Sequence, residues 1–145
     1  MVAAWKERGL RRFATLAADL VVESVRAPPV TALTAIPPDG ERSVTRGHHP
    51  AGRLAAELAF RWELPLLPLL GRARRVQRQR GLSLAERRRN VAGAFTARGR
   101  APPRVALVDD VYTTGATVSA AASALRAAGA RRVEVVTFAR ALRDR

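Results

Sequence analysis

Residues 105–117 read VALVDDVYTTGAT: an apolar run, two adjacent carboxylates, then three threonines around a single glycine. Asp109 and Asp110 repel one another, so a strand that ends on both needs a partner for the charge. In an open parallel sheet, ligands bind at the carboxyl ends of the strands. The helix expected to follow offers backbone N–H groups and a dipole that favour an anion. Thr113, Thr114 and Thr117 add hydroxyl donors, and Gly115 lets the backbone approach a ligand closely. Carboxylates repel phosphate but accept hydrogen bonds from vicinal hydroxyls, and they are oxygen donors for a divalent cation. A phosphate beside vicinal hydroxyls describes a ribose 5-phosphate.

Competing explanations of the stretch are weaker. A P-loop requires G-x-x-x-x-G-K-[ST], and the chain's only lysine is Lys6. A Rossmann fingerprint requires three spaced glycines, where this turn has one. A phospho-acceptor receiver domain needs several more β/α units, and 35 residues follow Asp110. A simple strand–turn–helix with capping side chains needs one acid, not two.

These residues must be positioned by a fold, and the chain's periodicity predicts one. From the start to Val25, Leu10, Phe13, Leu16, Ala17, Leu20 and Val21 recur at helical spacing and predict an amphipathic helix. A β-branched run between prolines predicts a strand over 30–36, followed by a long polar loop. Pro50 opens a second helix with Ala51, Leu54, Ala55 and Leu58 on its apolar stripe. "LPLLPLL" carries two prolines and reads as an edge strand or an extended connector. Ser83 and Glu86 form a capping-box pattern for a helix through about Val91. "VALVDD" has the continuous apolarity of a strand buried on both faces, which implies a parallel sheet. A helix stopped at Gly129, with Val118, Ala122 and Leu125 inward, and a last strand "RRVEVVTFA" complete the pattern. The expected fold class is α/β: one domain over 1–145, an open parallel sheet with helices on both faces.

The 145 residues suffice for a single core, and a 48% hydrophobic content excludes a disordered chain. No stretch approaches 18 uninterrupted apolar residues, so no membrane span is expected and a cytoplasmic location is the default. Zero cysteines exclude disulfides and thiolate metal sites. The formal net charge is +14, and residues 71–100 alone hold 10 basic residues against 1 acidic. That basic segment reads either as a solvated face or as weak nucleic-acid binding through Arg72–Arg89, without an aromatic residue among them for base stacking. His48 and His49 lie near Asp39 and Glu41, but adjacent ligands rarely converge on one ion, so no metal site is assigned and a polar loop is expected.

Residues 105–117 resemble the phosphoribosyl-pyrophosphate (PRPP) motif of type I phosphoribosyltransferases. "ERGLRRFA", the Ile36–Gly47 segment, "GLSLAERRRNVAGAF" and "VTFARAL" extend a resemblance to the ComF family of competence-associated proteins over nearly the whole chain. The resemblance implies that Asp109 and Asp110 hold the ribose 2′ and 3′ hydroxyls and serve as the catalytic pair. Thr113, Thr114, Gly115, Ala116 and Thr117 would wrap the 5′-phosphate. Ile36, Pro37, Arg42, Arg46 and Gly47 match the loop near the pyrophosphate, and Arg89 and Asn90 fall in the family's R-N block. Mg²⁺, bound mainly with PRPP, is the implied cofactor, and an oligomer is compatible with it. Phosphoribosyl transfer with loss of pyrophosphate is the implied reaction; a non-enzymatic module acting in DNA uptake is the alternative. Relatives often carry a cysteine-rich zinc-binding segment ahead of what is Met1 here, which is not expected within this cysteine-free chain. Where relatives read Phe-Asn-Gln after the Arg-Gly, this chain reads His48, His49 and Pro50. In relatives that salvage 6-oxopurines, the position of Thr113 is commonly an aspartate.

Overall fold

The computed structural model describes residues 2–38, 49–73, 93–112 and 114–140. The elements run α1 (Val2–Ser24), β1 (Ala32–Ala35), α2 (Pro50–Trp62), β2 (Leu70–Arg72), β3 (Phe95–Ala97), β4 (Arg104–Tyr112), α3 (Ala116–Ala127) and β5 (Arg132–Arg140). Three strands pair in parallel in the order β1-β4-β5, and β2 pairs antiparallel with β3. The parallel register sets Leu33 of β1 beside Ala106 of β4, and Val136 of β5 beside Val108 of β4, all four on the same face of the sheet.

β4 is the central strand, and its composition follows from that place. Val105, Ala106, Leu107 and Val108 have no exposed surface, because successive side chains enter opposite layers. Ala106 and Val108 join Leu33, Val136 and the inner faces of α1 and α2 in one core cluster. Val105 and Leu107 join α3 (Val118, Ala121, Leu125) and the β2–β3 residues Leu70 and Phe95 in the other. Helices therefore cover both faces, as the sequence predicts. Truncating Leu107 to alanine would leave a cavity costing about 2–5 kcal/mol.

α2 buries the stripe expected of it, Ala51, Leu54, Ala55 and Leu58. It ends in a left-handed residue, Glu63, at φ 53°. α1 differs from expectation. Its buried residues are Ala14, Ala17, Ala18 and Val21, while Phe13, Leu16 and Leu20 stay about half exposed. Alanines let the helix backbone approach α2 and the sheet closely, and the larger residues are rotated outward. "LPLLPLL" divides into a single parallel bridge, Leu66 to Leu33, and the start of β2. The β2–β3 pair is an addition to the single parallel sheet that the sequence suggests. β1 is shorter than the run 30–36, and β4 continues two residues past the acids, through Val111 and Tyr112. The capping box at Ser83 and Glu86 and its helix lie outside the described residues. Among the described residues no helix is long and apolar enough to cross a membrane.

Candidate functional site

The carboxyl ends of β1 and β4 and the start of α2 enclose a cavity of about 320 Å³. Asp109, Asp110 and Thr117 form one wall; Ile36, Pro37 and Pro38, which leave β1, form another; His49 and Arg72 line it as well. Sheet pairing explains the convergence. Ile36 N–H donates to the carbonyl of Val108 at 2.9 Å, so the segment leaving β1 stays beside the acids on β4.

Asp109 is buried, with 9% of its surface exposed. Its Oδ1 accepts the backbone N–H of Asp110 at 2.9 Å. Burial, followed by the side chain of Asp110, raises the Asp109 pKa from 3.8 to about 6. The Asp110 backbone bond and the positive charge of Arg72 pull in the opposite direction. Near neutral pH Asp109 thus carries its negative charge at a cost beside a second carboxyl group, an environment that a hydroxyl donor or a cation relieves.

Arg72 stands at the end of β2. Its Nε and Nη2 donate to the carbonyl of Pro37 at 3.3 and 3.1 Å, and Nε donates to that of Pro38 at 3.1 Å. The guanidinium lies 4.8 Å from the ring centroid of Phe95 on β3, a cation–π contact. The β2–β3 pair is thereby tied to the segment that forms the cavity's β1 wall. His49 makes a similar tie from α2: its Nε2 is 2.9 Å from the carbonyl of Ile36. The ring folds back over Gly52, where an added Cβ would sit 2.3 Å from Nδ1.

The turn into α3 is built around Gly115, which caps the helix in the left-handed region at φ 78°. A Cβ there would meet Tyr112 Oη at 2.3 Å. The backbone N–H of Ala116 donates to Thr114 Oγ1 at 3.3 Å, closing the turn locally.

Of the residues singled out from sequence, Ile36, Pro37, Asp109, Asp110 and Thr117 line this one cavity. Thr114, Gly115 and Ala116 make the turn and first helical residue just before Thr117. Arg42, Arg46, Gly47 and Thr113 lie outside the described residues, as do Asp39, Glu41, His48, Arg89 and Asn90. Sequence reasoning missed the two cavity residues with nitrogen-bearing side chains, Arg72 and His49. It grouped Arg72 with the nucleic-acid arginines, whereas the side chain braces the cavity; the remaining arginines of that group, from Arg74 to Arg89, are outside the described residues. It left His49 in a polar loop, although a residue just before a Pro-initiated helix is held at the N-cap, here at the cavity's edge.

No family model matches the chain. The chain is 34% identical over 142 residues to Competence protein F of Haemophilus influenzae, covering 94% of this chain and 62% of that protein. It thus spans under two thirds of that relative's length. Among solved structures, the allosteric regulatory enzyme of purine biosynthesis superposes with a TM-score of 0.57 at 23% identity, over 86% of this chain and 25% of that one. Adenine phosphoribosyltransferase from Thermoanaerobacter pseudethanolicus gives 0.53 at 11% identity, over 88% and 80%. Purine phosphoribosyltransferase from Pyrococcus horikoshii gives 0.51 at 18% identity, over 88% and 72%.

Proposed function

From a chain that is a ComF relative with the type I phosphoribosyltransferase fold, we propose that it binds PRPP, or a related ribose 5-phosphate, together with Mg²⁺. The observation that carries this reading is the pairing of Asp109 and Asp110 with Thr117 at the start of α3 in one cavity. In it the two carboxylates accept the ribose 2′ and 3′ hydroxyls, and the Thr113–Thr117 turn receives the 5′-phosphate. Arg42, Arg46 and Gly47, which follow Ile36 and Pro37 in sequence, are the residues that the family resemblance assigns to the pyrophosphate.

Mg²⁺ fits the donor set. Among the described residues no group of three or more His, Asp or Glu side chains could form a protein cage. Mg²⁺ commonly takes one or two carboxylates and completes its shell with phosphate oxygens and water. Asp109 and Asp110 supply the hard oxygens, and the charge they hold near neutral pH favours a cation. When bound, the ion neutralises charge on the pyrophosphate.

Catalysis in this reading is phosphoribosyl transfer: a nucleophile displaces pyrophosphate from C1, and the protein contributes by holding the ribose and stabilising the leaving group's charge. A cytoplasmic site of action accompanies it. The test is calorimetry with PRPP and Mg²⁺. Binding is expected, with a loss of about 1–3 kcal/mol in Asp110→Asn, the range for a charge-assisted hydrogen bond. Unchanged affinity in both Asp109→Asn and Asp110→Asn would sink the ribose assignment.

A second reading, a non-enzymatic module in DNA uptake, is favoured by the name of the competence relative and by the +14 charge. Titration with single-stranded DNA at rising salt separates it. Binding through arginine–phosphate contacts weakens steeply as salt rises, whereas a ribose phosphate held by short hydrogen bonds depends on it less.

A further inference from the structure

We propose that a second cavity, of about 650 Å³, binds a small organic anion, an aromatic carboxylate in chemical class. It shares only Pro37, Pro38 and His49 with the cavity that holds Asp109 and Asp110. Local structure explains why space is left there. Beside β1, Leu33 and Leu66 form one parallel bridge, and Leu67 N–H donates to the carbonyl of Leu33 at 2.8 Å. The backbone ladder then stops. Leu69 N–H turns back to the carbonyl of Leu67 at 3.0 Å and reaches Thr34 Oγ1 at 3.3 Å, a tight turn centred on Pro68. Across the gap, β1 and α2 present Ala35, Gly52 and Ala56, which are too small to fill it.

Leu67 and Leu70 extend the apolar lining, and the nitrogen-bearing side chains are His49, Arg53 and Arg98. Among the described residues that line the cavity there is no Asp or Glu. Two of the nitrogen-bearing side chains lie where a glycine leaves room. A Cβ at Gly71 would stand 3.0 Å from Nε of Arg98 and 3.4 Å from Nη2, so the guanidinium rests against β2. The His49 ring occupies the corresponding space over Gly52. Gly52 and Arg53 belong to the first turn of α2, which adds the positive end of a helix dipole. Such a cavity attracts an anion and repels a cation. Its apolar lining suits a ring better than a hydrated inorganic ion, and a planar carboxylate matches the guanidinium fork. Cavities of about 300–1,000 Å³ hold ligands of this kind. The inference rests on this second cavity and not on the ribose-phosphate reading.

Calorimetry of the whole chain with 2-naphthoate, and with the uncharged 2-naphthalenemethanol, tests it. Expected is one naphthoate per chain, with a dissociation constant on the order of 0.1 mM, and at least about tenfold weaker binding of the alcohol. Arg98→Gln, at an exposed position, should weaken naphthoate binding about five- to tenfold. Ala56→Trp, also at an exposed position, fills the cavity and should abolish binding, with native circular dichroism as the check on folding. Arg98→Gln keeps the test open if that variant fails to fold. Asp110→Asn should leave naphthoate affinity within about twofold, whereas an anion held in the first cavity would bind more tightly once a carboxylate is removed. No binding at millimolar naphthoate, equal affinity for the alcohol, or indifference to Arg98→Gln overturns the proposal. So does a naphthoate site that survives Ala56→Trp or tightens in Asp110→Asn.

Discussion

Replacing Asp109 by asparagine should make the protein more stable near neutral pH. The Asp109 carboxyl is raised from 3.8 to about 6, first by burial and then by Asp110. A shift of that size corresponds to about 3 kcal/mol of preference for the neutral form, at 1.36 kcal/mol per pKa unit. Between those two values the folded state binds more protons than the unfolded state, so stability falls as pH rises through the window. Below about pH 4 the carboxyl is neutral in both states and the penalty is absent; above about pH 6 it is present in full. Asparagine keeps the Oδ1 acceptor for the Asp110 N–H and removes the charge. With local relaxation, Asp109→Asn is expected to gain about 1–3 kcal/mol at pH 7.5 and close to nothing at pH 4. Urea unfolding of both proteins at four pH values between 4 and 7.5 measures the difference, in which titrating groups remote from the Asp109–Asp110 pair cancel. A pH-independent difference, or a less stable variant at pH 7.5, would refute the account of Asp109 as an ion held at a cost.

Gly115→Ala should lose about 1–2 kcal/mol or more, since alanine resists a positive φ and its Cβ would run into Tyr112 Oη. Thermal unfolding reads that loss, and an unchanged midpoint would mean the turn into α3 relaxes freely. Hypoxanthine and guanine should be poor acceptors. Thr113 offers a hydroxyl of ordinary pKa where a base would contribute about 10²–10⁴-fold. Turnover near 1 s⁻¹ or above in a radiolabelled-base assay with PRPP and Mg²⁺ would contradict that.

The parts of the fold that were legible are those in which one physical requirement dominates. β4 had to be apolar at every position from Val105 to Val108 because both faces are covered, and the run announces itself. α2 has one apolar face, so its stripe is unambiguous. α1 has two: a small-residue face at Ala14, Ala17 and Ala18, and a bulky one at Phe13, Leu16 and Leu20. Hydrophobicity ranks the bulky face as the core; close packing chose the other. β2 and β3 make three residue pairs, too few to leave a periodic signal, and their assignment rests on long-range pairing. The acids and Thr117 were readable because they sit within nine residues of each other in sequence. Arg72 and His49 reach the same cavity from separate elements, and only the fold reveals that.

The alanines that seat α1 also shape the entropy of its docking. An alanine has no side-chain rotamers to lose, so burying Ala14, Ala17 and Ala18 restricts only backbone freedom. Leucines in those places would bring more apolar area and a rotamer loss of roughly 0.5–1 kcal/mol each. Among the described residues, α2 contributes Ala55 and Ala59 to the same core, while Leu54 and Leu58 carry most of its bulk. Seating α1 therefore asks little order of its core-facing side chains, and the larger Leu16 and Leu20 keep about half of their surface outside the core.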